Sequence, residues 1–193
     1  MVVEKVKSVP DGSLRPGAQI MISSSGEAFI KTFTELIERL TKKMGRKGVL
    51  ISTQWSANAL SRRISLTKLP KKSLRVIDTI SLSMGSKLPV ADDFAFLSTP
   101  VSLESILMEV ERNFRSANGE YTFLVLDSLT HLKRYYTEGQ ISEFFHFLLN
   151  RMLEEQCLVI LFDQERPGGS RVSDQLSNMI DHTLQLIPGG DQK

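Results

Sequence analysis

Apolar residues along the chain fall into two alternating patterns. The first is a series of short, nearly unbroken runs: Ala18-Gln19-Ile20-Met21-Ile22, Gly48-Val49-Leu50-Ile51-Ser52, Leu74-Arg75-Val76-Ile77-Asp78, Phe94-Ala95-Phe96-Leu97, Tyr121 to Leu126, and Leu158-Val159-Ile160-Leu161-Phe162. Such runs predict strands covered on both faces. His182-Thr183-Leu184-Gln185-Leu186 predicts a last strand that closes the sheet. The second pattern has helical spacing. Leu103, Ile106, Leu107, Val110 and Phe114 form one apolar stripe, and Ile141, Phe144, Phe145, Leu148, Leu149, Met152 and Leu153 form another. Helices are also expected over 33–44 and 57–64. Linkers are expected over 66–73, 81–93 and 165–171.

Strands alternating with helices predict an α/β domain: three layers, a mainly parallel sheet with helices on both faces. Sheets of this kind hold ligands outside the carboxyl ends of their strands. Gln54, Asp127 and Asp163 all fall at or just past such ends. Residues 1–12 read as an N-terminal extension and 13–193 as one domain. No internal repeat or low-complexity segment interrupts it.

Composition narrows the function classes. The formal net charge of +2 is too small to argue nucleic-acid binding from bulk charge. Cys157 is the only cysteine, so no disulfide forms within the chain, and a reducing, cytoplasmic setting is expected. No apolar run approaches the roughly 18 residues of a membrane span, and the charged start of the chain lacks the apolar core of a signal peptide. His131, His146 and His182 have no metal-ligand spacing.

One segment carries candidate chemistry. Ser25-Gly26-Glu27-Ala28-Phe29-Ile30-Lys31-Thr32 stands between the first strand run and the first helix. A phosphate-binding loop in that place reads G-x-x-x-x-G-K-[ST]. The Lys-Thr pair is kept at the right spacing, while Ser25 and Ile30 occupy the two glycine positions. Those glycines let backbone N–H groups turn inward around a phosphate. A β-branched isoleucine is poorly suited to that turn.

With these residues in order, the chain resembles the RecA-like ATPase superfamily (P-loop NTPase-type), in its KaiC-like branch, from about residue 16 to 186. Pro16 to Ser23 looks like the approach to the family's first strand, and Lys31-Thr32 matches the end of its Walker A loop. Gly48 to Thr53, followed by Leu60, Arg62 and Arg63, resembles the second strand and its helix. Phe123-Leu124-Val125-Leu126-Asp127-Ser128 matches Walker B. The resemblance implies ATP with Mg²⁺ as candidate cofactor and Ser25, Gly26, Lys31, Thr32, Asp127 and Ser128 as the candidate binding set. Three departures oppose turnover: the lost glycines, Gln54-Trp55 where the family carries water-polarising glutamates, and no hairpin with Lys or Arg after the last strand. Glutamine orients a water but cannot take its proton.

The expected function is therefore that of a non-catalytic homologue, a pseudo-ATPase. It would act through a protein partner, either a RecA-like paralogue or a second copy of itself. No catalytic residue and no metal site are assigned. Two alternatives stay open: a weak ATP-binding switch or slow ATPase, and a DNA-associated accessory protein of recombination or repair. The second draws on Arg62, Arg63, Lys68, Lys71, Lys72 and Arg75, and on a loop from Arg166 to Arg171. Lys31 and Thr32 read equally as the opening of an ordinary helix, and Asp127-Ser128 as a helix cap. Asp163 and Glu165 read as a solvated loop. Trp55 either stacks on a ligand or fills the space a nucleotide would use.

Overall fold

The structure, a computed structural model, describes residues 3–24, 26–86, 88, 92–97, 101–164, 175–176 and 178–186. Its strands are β1 (Val3–Val6), β2 (Gln19–Ser23), β3 (Lys47–Ser52), β4 (Leu74–Asp78), β5 (Phe94–Phe96), β6 (Tyr121–Leu126), β7 (Leu158–Asp163) and β8 (His182–Leu186). They form one eight-stranded sheet in the order β1-β8-β2-β7-β6-β3-β4-β5. Every pairing is parallel. The apolar runs became the inner strands: all residues of β2 and β7 are buried. The segment read as an N-terminal extension contributes β1, which pairs with β8 at the sheet edge.

Helices α1 (Gly26–Glu38) and α2 (Ala57–Arg63) cover one face, and α3 (Leu103–Ala117), α4 (Leu129–Leu132) and α5 (Glu138–Glu154) cover the other. Successive strand residues point to opposite faces. Ile20, Ile22, Leu50, Val125, Ile160 and Phe162 therefore meet α1 and α2, while Met21, Val49, Ile51, Leu124, Leu126 and Leu161 meet the other three helices. These are the three layers expected from the sequence.

Local chemistry sets the helix ends. Ser56 and Ser102 cap α2 and α3 by accepting from Ala59 N and Ser105 N. Thr137 and Gln140 form a reciprocal capping box that starts α5 ahead of its apolar stripe. α1 differs most from expectation. It begins at Gly26 rather than at 33, and its last turn widens into a π-helical segment over Arg39–Lys43.

The centre of the sheet depends on one missing side chain. The pairing of β3 with β6 shifts register between Lys47 and Gly48, a β-bulge. At that point Gly48 lies so close to Phe123 that a Cβ would stand 2.4 Å from the Phe123 carbonyl oxygen and 2.5 Å from its ring. Neither neighbour can retreat, because Phe123 is fully buried in a central strand. Gly48→Ala is expected to cost about 3 kcal/mol by forcing β3 and β6 apart. Urea unfolding of the variant against the parent measures this.

Candidate functional site

The carboxyl ends of β2, β7, β6 and β3 lie side by side, where a ligand of this architecture would bind. Beneath them sits a cluster of four rings. Phe29 and Phe33, one turn apart on α1, pack against Trp55 after β3 and Phe162 on β7. Centroid separations are 5.5 Å for Phe29–Trp55, 5.4 Å for Phe29–Phe162, 5.1 Å for Phe33–Trp55 and 5.5 Å for Phe33–Phe162. One of these contacts is tilted and three are near-perpendicular, the geometry ring quadrupoles favour. The Arg63 guanidinium covers the outer side of Trp55, 4.9 Å from its centroid.

This cluster explains where α1 begins. Phe29, Phe33, Leu36, Ile37 and Leu40 make one buried stripe, so the helix gains apolar contact from its first turn. Gly26, at φ +58°, turns the chain out of β2 and into the helix. The segment with phosphate-loop spacing is thus helical from Gly26 onward. Lys31 lies in the second turn, its side chain 76% exposed, with Nζ 4.0 Å from Glu35 Oε1. Thr32 borders a shallow groove with Ser8, Val9 and Arg39. Ser25 lies outside the described residues. Asp127 has Ser52 and Thr53 as its hydrogen-bond partners while Lys31 faces Glu35, and the described backbone supplies no turn of inward N–H groups between Gly26 and Thr32. These residues do not fit a Mg-ATP cradle.

Asp127 is fully buried at the end of β6. Its Oδ1 accepts from Thr53 N at 2.7 Å and Thr53 Oγ1 at 3.0 Å, and its Oδ2 lies 2.6 Å from Ser52 Oγ. Burial pushes its pKa up; the Ser52 and Thr53 hydrogen bonds oppose the shift without cancelling it. Ser52 Oγ has one proton and two acceptor neighbours, Asp127 Oδ2 and the Trp55 carbonyl at 2.8 Å. Thr53 Oγ1 likewise faces two, Asp127 Oδ1 and the Ser128 carbonyl at 3.1 Å. Ser128 caps α4 through His131 N at 3.2 Å.

The neighbouring acids are engaged in the same way. Asp78, at the end of β4, accepts from Ala57 N, Ile80 N, Ser81 N and Ser81 Oγ at 2.6–2.8 Å. Asp163, read from sequence as a solvated loop residue, is instead 2% exposed. It accepts from Lys133 Nζ at 3.1 Å and from the Thr130 hydroxyl. β7 carries it inside the layer, where burial demands a partner. Gln54 Oε1 accepts from Gln164 Nε2 at 2.5 Å, linking the ends of β3 and β7. Sequence reasoning missed Lys133 and Gln164, which carry no motif, and gave no role to Thr130. Among the described residues, no group of three or more His, Cys, Asp or Glu is placed to hold a metal.

The basic run is partly used within the fold. Arg63 covers Trp55 and Arg75 bonds the Asp92 carbonyl, while Lys71 and Lys72 stay exposed. The segment from Arg166 to Arg171, and Glu165, lie outside the described residues. None of the described helices is long and apolar enough to cross a membrane.

Asp127→Asn is expected to fold with stability within about 1 kcal/mol of the parent, its amide oxygen accepting from Thr53 N and its amide N–H meeting the Ser52 hydroxyl, which turns its own proton to the Trp55 carbonyl. Asp127→Ala orphans the Thr53 N–H and is expected to cost about 1–3 kcal/mol. A raised folded pKa penalises the ionised form in the fold. That penalty is absent below the unfolded value of about 3.9 and grows until pH passes the folded value. The Asn variant should therefore gain on the parent as pH rises through that window, in urea unfolding at a series of pH values.

No curated protein matches the chain. Among solved structures, the crystal structure of a KaiC-like protein from the hyperthermophilic archaeon Pyrococcus horikoshii superposes with a TM-score of 0.65 at 17% identity, covering 97% of this chain and 83% of that one. The likeness gives the fold: RecA-like, of the KaiC type. A family model described as a family of unknown function, DUF7090, matches residues 6–192, and the chain belongs to that family.

Proposed function

We propose that the protein is a non-catalytic member of the RecA-like fold that works by binding another protein rather than by turning over ATP. The observation that carries this reading is the helical form of residues 26–32 over the four-ring cluster. Unwinding that turn into a phosphate loop would expose Phe29, at about 2–3 kcal/mol. It would also give up ring contacts with Trp55, Phe33 and Phe162, at about 1 kcal/mol each. A total of about 5–6 kcal/mol weakens any nucleotide complex that needs the loop by about four decades. The buried Asp127 supports the same reading, since it would have to leave Ser52 and Thr53 to reach a metal.

The partner in this reading is a RecA-like paralogue or a second copy of the chain. Helices α3 and α5 carry large apolar side chains that stand in solvent, Met108 at 66% and Phe147 at 59% exposure, and these mark the first faces to examine for contact.

Calorimetric titration with Mg-ATP and Mg-ADP, beside Lys31→Ala, tests the proposal. The expected result is no binding heat at millimolar nucleotide for either protein. Micromolar binding abolished by Lys31→Ala would overturn the reading, because it would require the loop form.

A further inference from the structure

The strand ends hold a second feature, separate from the phosphate-loop segment. Adjacent strands β3 and β6 send the chain to opposite faces of the sheet, into α2 and α4 respectively. That divergence opens a crevice. Here it is a cavity of about 630 Å³, walled chiefly by Gln54, Ile80, Ile106, His131, Leu132 and Tyr136. Its size falls in the range of small-molecule sites.

The wall chemistry restricts the occupant. Among the described residues, no Lys, Arg, Asp or Glu lines it. A charged ligand would lose its hydration against these walls with no counter-charge from them, which favours a neutral occupant. Tyr136 donates its hydroxyl to the Val101 carbonyl and so offers the cavity its ring. The rings of His131 and Tyr135 stand edge to face at 5.6 Å, giving flat surfaces to stack on.

Besides the wall hydroxyls, two side chains offer directed polar groups. His131 Nδ1 bonds the Thr53 carbonyl, which only accepts, so the neutral ring carries its proton on Nδ1 and leaves Nε2 as an acceptor. Gln54 uses its Oε1 on Gln164, which leaves the Gln54 amide N–H groups as donors. A largely apolar, aromatic cavity in which Gln54 donates and His131 accepts has a defined complement. We propose that it binds a neutral, planar heteroaromatic molecule bearing a hydrogen-bond donor and acceptor on one edge, the chemistry of a nucleobase or a pyridine carboxamide. Gln54 and His131 read that edge while Tyr135 and Tyr136 hold the plane.

Saturation-transfer NMR on the full chain tests this, with adenosine, guanosine, uridine and nicotinamide as probes and cyclohexanecarboxamide as the saturated control. Each is used at about 1 mM, which detects binding of about −4 kcal/mol. The expected result is transfer to the ring protons of at least one heteroaromatic probe and none to the control. Ser83→Trp, which fills the cavity from an exposed wall position, should abolish the transfer. Gln54→Leu should weaken it about tenfold, the cost of one unmet donor. Should Ser83→Trp not fold, Met84→Trp, at a position 68% exposed on the same wall, replaces it. Silence from every heteroaromatic probe, equal transfer to the control, binding that survives the filled cavity, or binding indifferent to Gln54→Leu would each overturn the proposal.

Discussion

The packing of Phe29 and Phe33 against Trp55 and Phe162 is the contact on which the rest of the site depends. It joins the first helix to the ends of two central strands, and it does so from the first turn of α1. A helix seated there leaves no room for the same residues to form an open loop. Lys31 then falls on the solvent side of the second turn, where Glu35 is its neighbour. The local structure of seven residues thus follows from where one phenylalanine finds its apolar surface.

The acids at the strand ends show the same economy of polar groups. In an α/β sheet these positions are available to ligands, yet Asp78, Asp127 and Asp163 are all buried and all hydrogen-bonded within the chain. Asp78 secures the start of α2, Asp127 ties β6 to the end of β3, and Asp163 holds Lys133 and Thr130 beside β7. Buried carboxyls are tolerated only with such donors. They act here as structural ties, and the remaining open space lies to one side, between β3, β4 and α4.

Much of the fold was legible because central strands must be apolar on both faces: β2, β3, β4, β6 and β7 each coincide with an apolar run. β1 was not, since Val3-Glu4-Lys5-Val6 is an edge strand with only two apolar residues. The start of α1 was misjudged because motif spacing outweighed periodicity; Phe29 stands four residues before Phe33 on the same stripe, and the helix follows the stripe. The position of Asp127 was legible, but not its partners Ser52 and Thr53, which only the pairing of β3 with β6 brings near. The cavity is assembled from separate segments with no motif among them, so no spacing along the chain announces it.

The central claim is that the aromatic cluster is closed and stays closed when nucleotide is present. Trp55 is the only tryptophan in the chain and is 6% exposed inside that cluster, so its fluorescence reports on the site without a label. The account predicts blue-shifted emission that neither moves nor quenches through millimolar Mg-ATP. A saturable red shift or quench on adding Mg-ATP would show the cluster opening to admit nucleotide and would contradict it.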